Sequence, residues 1–202
     1  MTNLVDHQQR RNMILERAFA LFAEEGYGGV TYQKIADQCE ISRTAIYKYF
    51  KNKEEIFTYA IILATGTLST MVEKVMGRKD WTEAEKIKRI LHVTIRMLAE
   101  NRVFLTVVLD YVLTQKQVGA DVKRKVRRHT FGMKYLLAKL LREATQKKEL
   151  NVRNPETSAS HLYGILESFV LNLTVTDILD AKDCTELVDA YLENLRPAGR
   201  GG

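Results

Sequence analysis

The sequence predicts an all-α protein: an N-terminal three-helix domain with a helix-turn-helix, then a larger C-terminal helical bundle, about nine helices in all. Three observations carry this. Only two prolines occur in 202 residues and 46% of the chain is hydrophobic, a composition for long uninterrupted helices. Apolar residues recur at i, i+3, i+4 and i+7 through most of the chain. Residues 31–56 read as two short helices, a tight turn and the capped start of a third.

The elements follow in order. A first helix is expected over 6–25, with Ile14, Ala18, Leu21 and Phe22 as its inner stripe. Gly26, Gly28 and Gly29 end it; no strand precedes them and no Gly-Lys-Ser/Thr follows, so a phosphate loop is excluded. Thr31 is the N-cap of the second helix, which buries Ile35 and Ala36. Ile41 plugs the core from the turn and Ser42 caps the third helix, pinned inward by Ile46 and Phe50. Arg43, Thr44, Tyr47 and Lys48 are left on the outer side, with Tyr49 beside them. Hydroxyls, a guanidinium and an ammonium bond to phosphates and base edges, the chemistry of a helix that enters the DNA major groove. Asn52 with Glu55 caps a fourth helix over 53–76, expected to be buried on several faces between 56 and 72.

A fifth helix follows over 82–100 with Ile87, Ile90, Leu91, Thr94, Ile95 and Leu98 on one face. The sixth, 101–115, is apolar enough to be expected inside, and the seventh spans 119–148. Asn154-Pro155 starts the eighth, the ninth fits 184–195, and the tail 198–202 is expected to be disordered.

Residues 31–56 resemble the N-terminal domain of TetR-family transcriptional regulators. The matching positions are Thr31, Ile35, Ala36, Ile41, Ser42, Ile46, Tyr47, Tyr49, Phe50, Asn52, Lys53 and Ile56. Glu40 departs from the pattern, standing where the family has a left-handed glycine; a side chain there costs about 1 kcal/mol. The resemblance implies a DNA-binding domain at 1–57 and a ligand-binding and dimerisation domain at 58–197. It implies a homodimer on double-stranded operator DNA, a repressor in most members, with Thr31, Gln33, Ser42, Arg43, Thr44, Tyr47, Lys48, Tyr49 and Lys53 at the DNA.

The eighth helix has two apolar sides. Leu162, Leu166, Phe169 and Leu173 make one; Gly164, Ser168, Leu171, Val175 and Ile178 make the other. Full burial explains this, as does the two-fold contact through helices eight and nine that the resemblance implies, to which Tyr191 also belongs. The family places a ligand cavity between helices four and eight. Tyr59, Leu63, Thr67, Met71, Phe104, Val108, Tyr111, Phe131 and Tyr135 are its candidate walls, and Arg96, Asp110 and Glu167 its candidate polar groups. Internal ion pairs or exposure account equally for these three charges. An apolar cavity with few polar groups suits a hydrophobic effector, aromatic or acyl.

Charge is a weaker guide. The net +6 admits a polyanionic partner, yet residues 1–53 hold eight Lys/Arg against six Asp/Glu. Five cations at 123–128 are a solvated face or a source of long-range attraction to DNA. Two cysteines and four scattered histidines offer neither a disulfide framework nor a metal set, and no cofactor motif or catalytic constellation appears. No secretory signal is expected, and the apolar stretch 103–113 is too short for a bilayer, so a cytoplasmic protein without a membrane partner is expected. Two rivals remain: a DNA-binding dimer of this fold with no effector pocket, and an all-helical enzyme.

Overall fold

The structure, a computed structural model, describes residues 2–117 and 122–197, with side chains at all of these except 2–5, 64, 65, 67, 104, 117 and 122–131. Among the described residues the elements are helical: α1 (Thr2–Gly29), α2 (Tyr32–Gln38), α3 (Arg43–Ile46), α4 (Lys53–Met76), α5 (Glu83–Glu100), α6 (Arg102–Gln117), α7 (Val122–Gln146), α8 (Pro155–Leu171) and α9 (Ala181–Asn194). Capping residues set several boundaries, and Asp180 starts α9 ahead of the expected 184. Thr82 and Asp180 form capping boxes with Glu85 and Asp183, and Asn154 accepts from the Thr157 N–H while Pro155 opens α8. One turn of π-helix, Asn172–Thr176, follows α8 and was not expected; Asn172 Oδ1 accepts the Ile178 N–H at 2.7 Å where regular pairing fails. The tail 198–202 and the side chains of the cationic run 123–128 lie outside the described residues.

Two compact units emerge, residues 1–67 with 106–120, and residues 68–105 with 121–202. In the first, Ile14, Ala18 and Phe22 of α1 meet Ile35, Ala36, Ile46, Phe50, Ile56 and Phe57, all essentially without solvent contact. Val107 and Tyr111 of α6 complete this core. Phe22, Tyr27, Phe57 and Tyr111 form a ring cluster, Tyr111 stacked on Phe57 at 4.3 Å between centroids and edge-on to Tyr27 at 4.7 Å.

The end of α1 is the unusual place in this unit. Gly26 breaks the helix at φ 71°, ψ 167°, a conformation that glycine adopts most readily. Just past the break the Tyr27 N–H donates to Asp110 Oδ2 at 2.6 Å. On the other side of the turn the Lys53 ammonium donates to the Tyr27 and Val30 carbonyls, both at 2.8 Å. Burial pulls the Lys53 ammonium below the ordinary lysine range, while Asp110 pulls it back up.

In the second unit, Ile87, Ile90, Leu91 and Ile95 of α5 join Leu137, Leu140 and Leu141 of α7, Leu162, Leu166 and Phe169 of α8, and Val188 and Leu192 of α9 in the core. Glu83 is buried and bonded by Lys147 at 2.7 Å and Lys86 at 3.2 Å.

Two expectations are corrected. The middle of α4 is not buried on several faces: Ile56, Phe57 and Ala60 point inward, whereas Ile62, Leu63 and Met71 are exposed. Nor does α6 lie wholly inside, since Val103 and Leu113 are exposed and Leu105, Val107 and Tyr111 buried. Both helices carry more apolar residues than are buried, and the surplus stays at the surface. Among the described residues, α4 is long and apolar enough to cross a bilayer by length and composition, a test that a core helix passes too.

A Cβ built on Gly26 would lie 2.9 Å from Asp110 Oδ2, and its φ is already left-handed. Gly26→Ala is therefore expected to lower the unfolding free energy by about 1–3 kcal/mol, read from urea midpoints, with little change for Gly28→Ala, whose Cβ meets nothing.

Candidate nucleic-acid interface

The reading head is built from caps and a braced turn. Thr31 Oγ1 accepts the Lys34 N–H at 3.2 Å and starts α2; Ser42 Oγ accepts the Ala45 N–H at 3.1 Å and starts α3. Both hydroxyls keep a proton for another acceptor. Between the helices Glu40 sits at φ 55°, the left-handed turn that the sequence pattern assigns to glycine. The angle is kept despite the side chain, because Ile41 N donates to Ala36 O and the Arg17 guanidinium to Gln38 O at 2.7 Å.

α3 is a single turn, too short to hold its own geometry, and its neighbours supply it. Ile46 and Phe50 are buried. Tyr32 donates its hydroxyl proton to the Phe50 carbonyl at 2.6 Å and stacks on Tyr47 with centroids 4.8 Å apart. Burial first, then Tyr47 and Glu55, pushes the Tyr32 phenol up to about 12. The opposite face carries Arg43, Thr44, Tyr47 and Lys48, all exposed, Tyr47 at 52%. Arg43, Thr44 and Lys48 make no side-chain hydrogen bond or ion pair among the described residues. The head thus presents cationic and hydroxyl donors, uncommitted among the described residues, on a fixed scaffold.

Other expected contacts stand differently. Tyr49 is half-buried against His7, ring centroids 4.7 Å apart, rather than beside Arg43 on the outer face. Gln33 donates to Asp37 at 2.8 Å on the surface of α2. Lys53 is turned inward to Tyr27 and Val30, which leaves one of its three donors for any phosphate. Tyr32, Arg17 and His7 were missed by sequence reasoning. Their partners lie 18, 21 and 42 positions away, beyond any helical repeat; only the aromatic at the first position of α2 hinted at a brace.

The residues expected around an effector are dispersed in role. Asp110 and Tyr111 belong to the first unit, Asp110 on the Tyr27 N–H and Tyr111 donating to Glu54 at 3.1 Å. Tyr59 lies under the Arg11 guanidinium at 4.1 Å, and Val108 is half-buried. Leu63, Met71, Arg96, Tyr135 and Glu167 are exposed. The side chains of Thr67, Phe104 and Phe131 lie outside the described residues. On α8, Leu162, Leu166 and Phe169 are buried while Ser168, Leu171 and Val175 are exposed, and a Cβ on Gly164 would meet nothing within 4 Å. Tyr191 of α9 shares a 3.0 Å hydrogen bond with His161 of α8.

Comparison with known proteins agrees with this geometry. Residues 14–60 match the family described as bacterial regulatory proteins, tetR family. The N-terminal segment 14–60 is thus a helix-turn-helix domain of the tetR type, and the likeness to regulators that carry it extends beyond that segment. The chain is 26% identical over 186 residues to the fatty acid metabolism regulator protein of Bacillus subtilis, covering 90% of this chain and 91% of that one. It is 23% identical over 167 residues to the nucleoid occlusion factor SlmA of Actinobacillus pleuropneumoniae, covering 82% and 81%. A Clostridium perfringens structure described as a fatty acid metabolism regulator superposes with TM-score 0.68 at 25% identity, covering 92% of this chain and 99% of that one. The family and the fatty acid metabolism regulators are regulatory proteins rather than enzymes.

Tyr32→Phe removes the bond to Phe50 and is expected to cost about 1 kcal/mol of stability. Because the phenol titrates near 12 when folded and near 10 when free, this contribution is complete below pH 10 and lost as pH rises through 12. Urea midpoints of wild type and variant should converge across that window.

Proposed function

We propose that the chain is a homodimeric, sequence-specific transcriptional repressor. The head at 1–57 reads an operator, and a small hydrophobic effector bound within 58–197 releases it. The observation that carries the reading is the outward set Arg43, Thr44, Tyr47 and Lys48, exposed on a turn whose other face is locked by Ile46, Phe50 and Tyr32. Arginine and lysine recognise guanine edges and phosphates, and hydroxyls bond to either, so this face suits the major groove of duplex DNA.

A dimer is required because one recognition helix reads too few base pairs. Leu171, Val175 and Ile178 are 59%, 69% and 79% exposed, and Leu187 on α9 is exposed too. With the open positions Gly164 and Ser168, this apolar surface supports a two-fold contact through α8 and α9. The relatives named as fatty acid metabolism regulators support an acyl effector. In this reading the ligand favours a state with the two heads wrongly spaced for the operator and shifts the population towards it. A second reading, in which the same DNA-binding dimer acts without an effector, is supported by the exposure of Leu63, Met71, Arg96, Tyr135 and Glu167, all expected around a ligand. A cytoplasmic location goes with either.

Duplexes selected from a random pool by the purified protein provide the test. Arg43→Ala and Thr44→Ala should change which duplexes bind, each lost base contact costing about 1–3 kcal/mol in gel-shift titrations. Unchanged affinity and preference in both variants would remove the reading face. Sedimentation should show a wild-type dimer and a monomeric Gly164→Arg, whose charge would be buried unpaired in the contact; a wild-type monomer at micromolar concentration would refute the dimer. Palmitoyl-CoA should raise the melting temperature and release the duplex. Tight operator binding with no such response would favour the effector-free reading.

A further inference from the structure

Trp81 is the only tryptophan of the chain, and it stands immediately before the Thr82 cap of α5. Two guanidiniums lie over its indole, Arg78 at 4.7 Å and Arg89 at 5.3 Å from a ring centroid. Beside it opens a cleft of about 350 Å³ lined by Trp81, Glu85, Lys88, Arg89, His92 and Arg196. Three of these six side chains are permanent cations and a fourth is an imidazole.

The acids that hold these groups mostly stand outside the cleft. Asp189 of α9 bonds Lys88 at 2.9 Å and His92 Nε2 at 2.8 Å, and Glu193 bonds Arg196 at 2.9 Å; neither acid lines the cavity. The one acid in the lining, Glu85, accepts from the Thr82 N–H at 2.8 Å and the Thr82 hydroxyl at 3.0 Å. Arg89 makes no hydrogen bond or ion pair among the described residues and rests on the indole. Its planar fork of donors is therefore uncommitted, and the neighbouring cations are oriented by carboxylates behind them.

We infer that this cleft between α5 and the end of α9 binds a small polyanion with at least two negatively charged oxygens, a phosphate ester or a di- or tricarboxylate. A guanidinium fork grips such a group at two points, and Lys88 and Arg196 lie on the same cavity to meet the second charge. The volume exceeds that of a lone inorganic ion and falls in the range of small-ligand sites. Its polar lining is unsuited to an apolar effector, so the site is separate from the one proposed above and does not depend on it.

Trp81 supplies the readout. The full-length protein is titrated with pyrophosphate and with citrate at constant ionic strength, following tryptophan emission and, independently, heat by calorimetry. A saturable signal with sub-millimolar affinity is expected for at least one of them, and which one responds tells phosphate from carboxylate. Arg89→Gln and Arg196→Gln should each weaken binding about tenfold with the melting temperature unchanged, whereas Lys139→Gln, on the exposed face of α7, should not. Duplex binding should be unaffected in all three. The inference is overturned if neither probe gives a saturable signal by either method. It is overturned equally if the double variant Arg89→Gln, Arg196→Gln binds as wild type, or if sodium chloride at matched ionic strength reproduces the response.

Discussion

The turn after α1 depends on two opposite charges. Past the kink at Gly26, the Tyr27 N–H and the Tyr27 and Val30 carbonyls are bonded by side chains from other helices, and Tyr27 is only 5% exposed. Unpaired, such groups cost about 1–3 kcal/mol each. Asp110 from α6 takes the donor and Lys53 from the first turn of α4 takes both acceptors. One junction thereby ties three helices together, and the aromatic cluster of Phe22, Tyr27, Phe57 and Tyr111 closes over it. The consequence for function is stiffness. With α1 held against α4 and α6, Arg17 reaches Gln38, His7 covers Tyr49, and the four-residue α3 is presented on a fixed base.

Much of this head was legible because its signals are local. Thr31, Ser42 and Asn52 each cap a helix two or three residues away, and Ile46 with Phe50 fixes which side of α3 faces inward. Hence the outer face, Arg43, Thr44, Tyr47 and Lys48, could be named from spacing alone. The left-handed residue at position 40 was legible too, from the pattern around it, although the residue is glutamate. The long-range partners were not. Asp110 read as a ligand group because a carboxylate in an apolar run must have a partner, and nothing in the run says that the partner is a backbone N–H 83 residues earlier. Lys53 followed the family pattern of an outward lysine, and only the broken end of α1 explains why it turns in.

The C-terminal unit divides in the same way. The inner and outer sides of α8 follow from its 3.6-residue repeat, so Leu162 and Leu166 are buried and Ser168 and Leu171 exposed as their positions require. The π-helical turn at 172–176 had no such signal, since it arises where Asn172 bonds onward to Ile178 and Leu179. The α5–α9 cleft was illegible for a different reason. Its cations come from α5 and from Arg196 just past α9, about a hundred residues on, and the bonds of Asp189 to Lys88 and His92 that join α5 to α9 have no signal in the sequence. The proposed two-fold regulator rests on the exposed outer face of α3 and the exposed apolar residues Leu171, Val175 and Leu187.

Backbone hydrogen exchange on the full-length protein, with and without a duplex selected from a random pool, tests the central claim most directly. If the outer face of α3 enters the groove, amides across 42–50 slow on binding while those of the core positions Ile14, Phe22 and Phe57 stay as they are. Exchange at 42–50 that is unaltered by a tightly bound duplex, with protection appearing only elsewhere in the chain, would contradict the account.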